Sequence, residues 1–166
     1  ESLSALIDRI REKIPGVTLR TTLITGFPGE TEEQFCELDR FVQEKRFDRL
    51  GCFTYSAEEN TIAANMPDQI DEQVKTDRME HIMEHQLTVS GEINAARIGT
   101  ETEVLIEGWD DYIKCYFGRT PAEAPEVDGK IFFLSDRPLV IGQYVRVRIN
   151  DTLDYDLLGE LTADEN

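Results

Sequence analysis

The segment Thr22-Leu-Ile-Thr-Gly-Phe-Pro-Gly-Glu-Thr31 constrains the fold of this chain more than any other. An apolar run that suits a strand enters a Gly26-Phe-Pro-Gly29 turn, and an acidic helix starts at once. Gly26 and Gly29 allow a sharp turn and close backbone approach, while Pro28 fixes one φ angle. Thr31 with Gln34 three residues later reads as a capping box opening the next helix. A strand end, a backbone-rich turn and a helix start therefore meet, which is where α/β proteins bind ligands. The same spacing also fits a tight βα turn that binds nothing. A phosphate cradle fits poorly, because Glu30, Glu32 and Glu33 already sit at the positive end of the helix and no Walker-type lysine follows.

Helical and strand periods extend this reading on both sides. Residues 2–14 read as a helix capped by Ser2 and ended by Pro15-Gly16, with Leu3, Leu6, Ile7 and Ile10 on one face. Residues 17–25 read as a strand. Residues 31–45 form a second helix with Phe35, Leu38, Phe41 and Val42 inward, and residues 49–55 a second strand. A polar loop over 56–68 precedes a long helix over 71–97, whose apolar members are Val74, Met79, Ile82, Met83, Leu87 and Ile93. Strand–helix–strand–helix order predicts parallel pairing with right-handed crossovers. Two such units leave unpaired strand edges. The chain does not begin with Met and opens inside a helix, so it reads as a fragment with further βα units expected ahead of Glu1.

Beyond Gly99 the pattern changes to short strand-like runs divided by Gly, Pro and Asp: 102–107, 112–117, 130–134, 144–150 and 156–161. This spacing predicts a small antiparallel barrel of OB type. A boundary between residues 96 and 97 is expected, giving domains 1–96 and 97–166.

The formal charge is −17 and is shared between the two parts. Residues 1–95 carry ten Lys and Arg against nineteen Asp and Glu, and residues 96–166 carry seven against fifteen. Such a surface repels phosphate backbones and favours a basic partner, although solubility alone is also served by it. Cys36, Cys52 and Cys115 are far apart and form no CxxC pair, so buried thiols in a reducing cytoplasm are expected. No apolar run is long enough to span a bilayer, and no membrane partner is expected.

His81-Ile-Met-Glu-His85 has the HxxEH form of inverted zinc peptidases, with the histidines one turn apart. The helix is strongly charged, so both rings are expected to face solvent, and no residue of the chain is expected to bind metal or to act catalytically.

Two motif pairs in order resemble one family. Leu19-Arg-Thr-Thr-Leu-Ile-Thr-Gly-Phe-Pro-Gly-Glu-Thr31 resembles a late barrel strand and turn of the radical S-adenosylmethionine methylthiotransferases. Phe47-Asp-Arg-Leu-Gly-Cys-Phe-Thr-Tyr-Ser-Ala-Glu-Glu-Asn-Thr61 resembles the next strand and loop, and the terminal barrel resembles their TRAM domain. Gly118-Arg-Thr-Pro-Ala-Glu-Ala-Pro-Glu-Val-Asp-Gly129 and Tyr155-Asp-Leu-Leu-Gly-Glu160 are similar to the RimO branch.

The resemblance implies an α/β fold: the last two βα units of a radical SAM partial TIM barrel, followed by a small OB-like TRAM barrel. It implies a parent enzyme with S-adenosyl-L-methionine and two 4Fe-4S clusters. That enzyme abstracts hydrogen from Cβ of an aspartate of protein twelve of the small ribosomal subunit and inserts a methylthio group. A MiaB-like enzyme acting on tRNA adenosine and a non-catalytic acidic binding module are the alternatives. No CxxxCxxC cluster motif occurs in the sequence, so the chain by itself is expected to be inactive.

By position in the family, Ile24, Gly26, Phe53 and Tyr55 are expected near the cofactor's adenine, although Ile24 and Phe53 equally suit plain barrel core. Trp109, Tyr112, Tyr116 and Phe117 are interleaved with Asp110, Asp111, Lys114 and Arg119. Aromatics stack on bases, but the charge around them opposes a nucleic-acid backbone. A basic ribosomal protein is the better match. Trp109, Arg119, Glu123, Glu126 and Asp128 are the expected docking residues, with a solvated acidic loop as the other reading of the three acids.

Overall fold

The structure, a computed structural model, describes residues 2–162. The chain divides into two compact units, Glu1–Val89 and Ser90–Asn166.

The first unit holds helix α1 (Leu3–Lys13), strand β1 (Arg20–Thr25), helix α2 (Glu32–Lys45), strand β2 (Arg49–Thr54), a short 3₁₀ turn (Ala63–Asn65) and most of helix α3 (Glu72–Ala95). The Ser2 hydroxyl accepts from the Ala5 N–H at the head of α1, and the Thr31–Gln34 capping box opens α2 with both of its hydrogen bonds formed. Residues 17–19, expected in the first strand, precede it. β1 and β2 pair in parallel from Arg20 opposite Arg49 to Thr25 opposite Thr54. Ile7, Phe35, Val42, Phe47, Leu50, Cys52 and Ile82 form the core, with Leu19, Leu23, Leu38 and Phe41 packed on it. Side chains alternate along a strand, so this core takes one face of the pair. On the other face Arg20, Thr22, Ile24 and Phe53 are exposed.

Helix α3 departs from the apolar stripe expected of it. Val74 and Leu87 are exposed, whereas Lys75, Arg78, Gln86, Ser90 and Asn94 are buried. These polar side chains serve the ends of other elements. Lys75 Nζ donates to the Tyr55 carbonyl, Gln86 Nε2 to the Phe47 carbonyl, and Asn94 Nδ2 to the Asp154 and Tyr155 carbonyls. Buried carbonyls need donors, and an apolar period cannot reveal them. Cys52 and Cys115 are buried as expected, but Cys36 is exposed.

The second unit is a closed five-stranded barrel of β3 (Glu101–Asp110), β4 (Cys115–Arg119), β5 (Ile131–Leu134), β6 (Tyr144–Leu153) and β7 (Asp156–Leu161), in the order β3-β4-β5-β7-β6. Only β5 and β7 pair in parallel. Val104, Ile106, Ile131, Phe133, Val147, Ile149 and Leu157 fill it. Residues 112–114 are not strand, contrary to expectation. The Asp110 carboxylate accepts from the Tyr112 and Ile113 N–H groups at 2.8 and 3.1 Å, and Lys114 takes φ 56°, so a turn replaces the strand start. A Cβ at Gly118 would lie 2.1 Å from the Leu105 carbonyl oxygen, so only glycine lets β3 and β4 approach this closely.

Candidate functional site

The C-terminal ends of β1 and β2 meet at Gly26. Its φ of +73° and a Cβ position only 2.2 Å from Lys75 Cγ both require glycine. The Gly26 N–H donates to Glu30 Oε1 at 3.0 Å. Arg78 pairs with Glu30 at 2.7 Å and with Glu32 at 2.9 Å. Tyr55 N–H donates to the Thr25 carbonyl at 2.8 Å, and Lys75 Nζ donates to the Tyr55 carbonyl at 3.2 Å. The carboxylate of Glu30 therefore takes the turn amide that a phosphate would need.

Ile24 and Phe53 are register partners, 56% and 61% exposed, on the bare face of the sheet. They form an apolar wall and are not core within this unit. Gly26 and the Tyr55 backbone follow that wall in the chain, but the Gly26 N–H and both backbone groups of Tyr55 are engaged internally. The Tyr55 ring is buried against Phe27, edge to face at 5.3 Å. Its hydroxyl is buried with no hydrogen-bond partner among the described residues.

On the barrel, Trp109 is 41% exposed and packs edge-on against Tyr116, its Nε1 donating to Asp111 at 3.1 Å. Beside it, Tyr112 is almost fully exposed at the hairpin tip. Arg119 donates to Glu107 at 2.8 Å.

Glu123 corrects an expectation. Its carboxylate is buried, 2.6 Å from Arg97 Nη1, and accepts from the Thr120 N–H at 2.9 Å and from the Thr120 hydroxyl. Burial pushes this carboxyl up, but the Thr120 bonds and the Arg97 guanidinium outweigh it and hold it below the usual glutamate range. A carboxylate committed in this way is not presented to a partner. Glu126, at φ 62°, is exposed beside the exposed Val127. Asp128 accepts from the Ala124 N–H at 2.7 Å, which closes the loop.

Another surface was missed. Arg137, Pro138, Leu139, Gln143, Tyr144 and Val145 line a shallow groove, with the exposed Val140 and Ile141 in the same segment. Its signal was the apolar run Leu139-Val-Ile141 before Gly142, which fits no strand.

The two histidines of the HxxEH segment do not simply face solvent. His85 Nδ1 and His81 Nε2 lie 2.8 and 3.4 Å from the same oxygen of Asp39 on α2.

A TRAM domain model matches residues 98–162. Over 157 residues the chain is 51% identical to "Ribosomal protein uS12 methylthiotransferase RimO" of Desulforamulus reducens, covering 94% of this chain and 35% of that protein. The protein of the same name in Clostridium novyi is 47% identical across all of this chain and 37% of itself. That of Geobacter sulfurreducens is 48% identical over 95% of this chain and 35% of itself. The chain thus spans about a third of the length of these relatives. No helix among the described residues is long and apolar enough to cross a membrane.

Proposed function

Because this chain belongs to the RimO methylthiotransferase family, whose C-terminal part it matches, we propose that it serves an enzyme that methylthiolates an aspartate of ribosomal protein uS12. In this reading the first unit supplies the last two βα units of a radical SAM barrel, and the TRAM domain docks the protein substrate in the cytoplasm. S-adenosyl-L-methionine, bound at one of two 4Fe-4S clusters, would supply the radical that takes hydrogen from the substrate Cβ. The cluster ligands belong to residues outside this chain.

The observation that carries the reading is the bare apolar end of the β1–β2 pair. Parallel sheets are normally covered on both faces, yet among the described residues helices cover only one, and Ile24 and Phe53 stand side by side on the other. A pair of exposed apolar side chains at strand C-termini suits a flat base. Ile24 and Phe53 offer contact area there. The Gly26 N–H is already taken by Glu30. The role of this chain's residues is thus to hold and orient the nucleoside and to exclude water from it.

The acidic TRAM unit supports docking of a very basic protein at Trp109 and the Glu126–Asp128 loop, with Arg119 held by Glu107 at the edge. The exposed Trp109 and Tyr112 rings are also what a base-stacking surface would show, so tRNA is the competitor to test. Binding of uS12 and of tRNA is measured across a range of salt. The expected result is salt-sensitive uS12 binding weakened by Glu126→Lys, with little affinity for tRNA. Tight, salt-sensitive tRNA binding with none to uS12 would overturn the docking assignment.

A further inference from the structure

We propose that Asp39, His81 and His85 form a binding site for a divalent first-row transition-metal ion of the zinc type. The site is separate from the strand-end wall, in the helical layer on the opposite face of the β1–β2 pair. It does not depend on the methylthiotransferase reading.

The two imidazoles come from one face of α3, because residues four apart on a helix lie one above the other. Asp39 comes from α2. The three donor atoms (one nitrogen from each ring and a carboxylate oxygen) all lie within 4.8 Å of one another. His85 Nδ1 is 2.8 Å and His81 Nε2 3.4 Å from Asp39 Oδ1. Ligand atoms around a tetrahedral zinc ion, with bonds of about 2.0–2.1 Å, are separated by about 3.3 Å. The two histidine–aspartate separations already stand near that spacing, and the two nitrogens lie within 4.8 Å of each other, so side-chain rotations alone can close the set on an ion.

The supports of the site fit a ligand set. Gln43 Nε2 donates to the other oxygen of Asp39, Oδ2, at 2.9 Å, which orients the carboxylate and leaves Oδ1 toward the rings; it also lies 3.3 Å from His85 Nδ1, a contact that nitrogen gives up when it turns to an ion. Carboxylate ligands held by such outer bonds are the common pattern in metal sites. Phe35 packs edge-on against His81 at 5.8 Å, and the two imidazole rings lie 4.5 Å apart. The His81 side chain is 46% exposed and that of Asp39 18%, so solvent reaches the fourth position while the carboxylate is partly sheltered.

Two nitrogen donors and one oxygen select zinc, cobalt, nickel, copper or iron over magnesium and calcium, which take oxygen ligands. The arrangement departs from the HxxEH peptidase pattern. Glu84 is exposed and outside the cluster, and the carboxylate comes from a different helix. Bound there, the ion ties α2 to α3 and stabilises the first unit by mass action.

The test uses the metal-free 166-residue chain. Zn2+ is followed by calorimetry and Co2+ by its visible d–d absorption. The expected result is saturable binding of a single ion with a rise in melting temperature. Asp39→Asn, His81→Ala and His85→Ala should each weaken binding by at least about tenfold, and Gln43→Ala by about tenfold. Cys36→Ser should leave the Co2+ spectrum unchanged. His81 and His85 are the only histidines in the sequence, so imidazole nitrogen NMR reports on the site without any substitution. Zn2+ should shift both rings together. No saturable binding, parental affinity retained in Asp39→Asn and His81→Ala, or imidazole signals untouched by saturating Zn2+ would overturn the site. The three groups would then be only an imidazole–carboxylate clasp.

Discussion

Glu123→Gln separates a structural carboxylate from a docking one. In the barrel the Glu123 side chain is 3% exposed and its Arg97 partner 20%. Glutamine keeps one oxygen for Thr120 but turns an uncharged amide toward the guanidinium. Charge-assisted hydrogen bonds contribute about 1.5–3 kcal/mol each, so the cost should be about 2–3 kcal/mol. Alanine removes every acceptor and leaves Arg97 without its carboxylate, a change that costs about 3–5 kcal/mol. A unit of this size has a total stability on the order of 4–11 kcal/mol, so glutamine is the variant to study first.

Trp109, the only tryptophan, lies in the barrel and reports its unfolding by fluorescence. With a urea slope of about 1 kcal/mol/M, the midpoint should fall by about 2–3 M. The pH profile carries the same information. Because the folded-state carboxyl is held below its unfolded value of about 4.3, the pair's contribution is complete above that pH. It is lost as pH falls through the lower folded value. The gap between the parent chain and Glu123→Gln should therefore close on acidification. Under folding conditions the docking proposed above should be the same in the variant as in the parent chain. An unchanged midpoint together with lost uS12 binding would refute this assignment and return Glu123 to the docking surface.

Gly26→Ala should destabilise the first unit by about 2 kcal/mol or more, measured calorimetrically, because it combines positive φ with a clash on Lys75. Ile82→Ala, at a fully buried position, should cost about 2–5 kcal/mol in denaturant unfolding. Phe53→Asp should lower S-adenosyl-L-methionine affinity of the whole cluster-loaded enzyme by about tenfold or more, since 1.4 kcal/mol of lost contact is tenfold, while leaving the melting temperature of this chain unchanged. An equal loss of stability would mean that Phe53 is core. Amide exchange in β1 and β2 should be faster than in the barrel strands, because each has an edge unpaired among the described residues.

The features legible in the sequence were those written in local chemistry. The Thr31–Gln34 box, the glycine turn at 26 and the Ser2 cap each act within four residues, and the structure forms them where expected. The apolar strands of the barrel were readable from alternation, although Asp110 shifted one strand start by an Asx turn. What stayed hidden was long-range polar pairing. Beside Ile82 and Val89, the buried face of α3 carries Lys75, Arg78, Gln86 and Asn94, which reach partners between 20 and 61 residues away in sequence. Glu123 looked like a surface acid because Arg97, 26 residues earlier, gives no local sign of facing it. Asp39 likewise lies 46 residues from His85, so a helix reading that saw the two histidines could not supply the carboxylate.

Genetics in the native host decides whether this chain serves methylthiolation of uS12. The gene encoding this chain is deleted, then restored either intact or without residues 98–162, and uS12 is analysed by mass spectrometry. The expected result is a methylthio group on an aspartate of uS12 with the intact gene only. A uS12 that carries the modification in the deletion strain, or a loss of methylthioadenosine from tRNA in its place, would contradict the account.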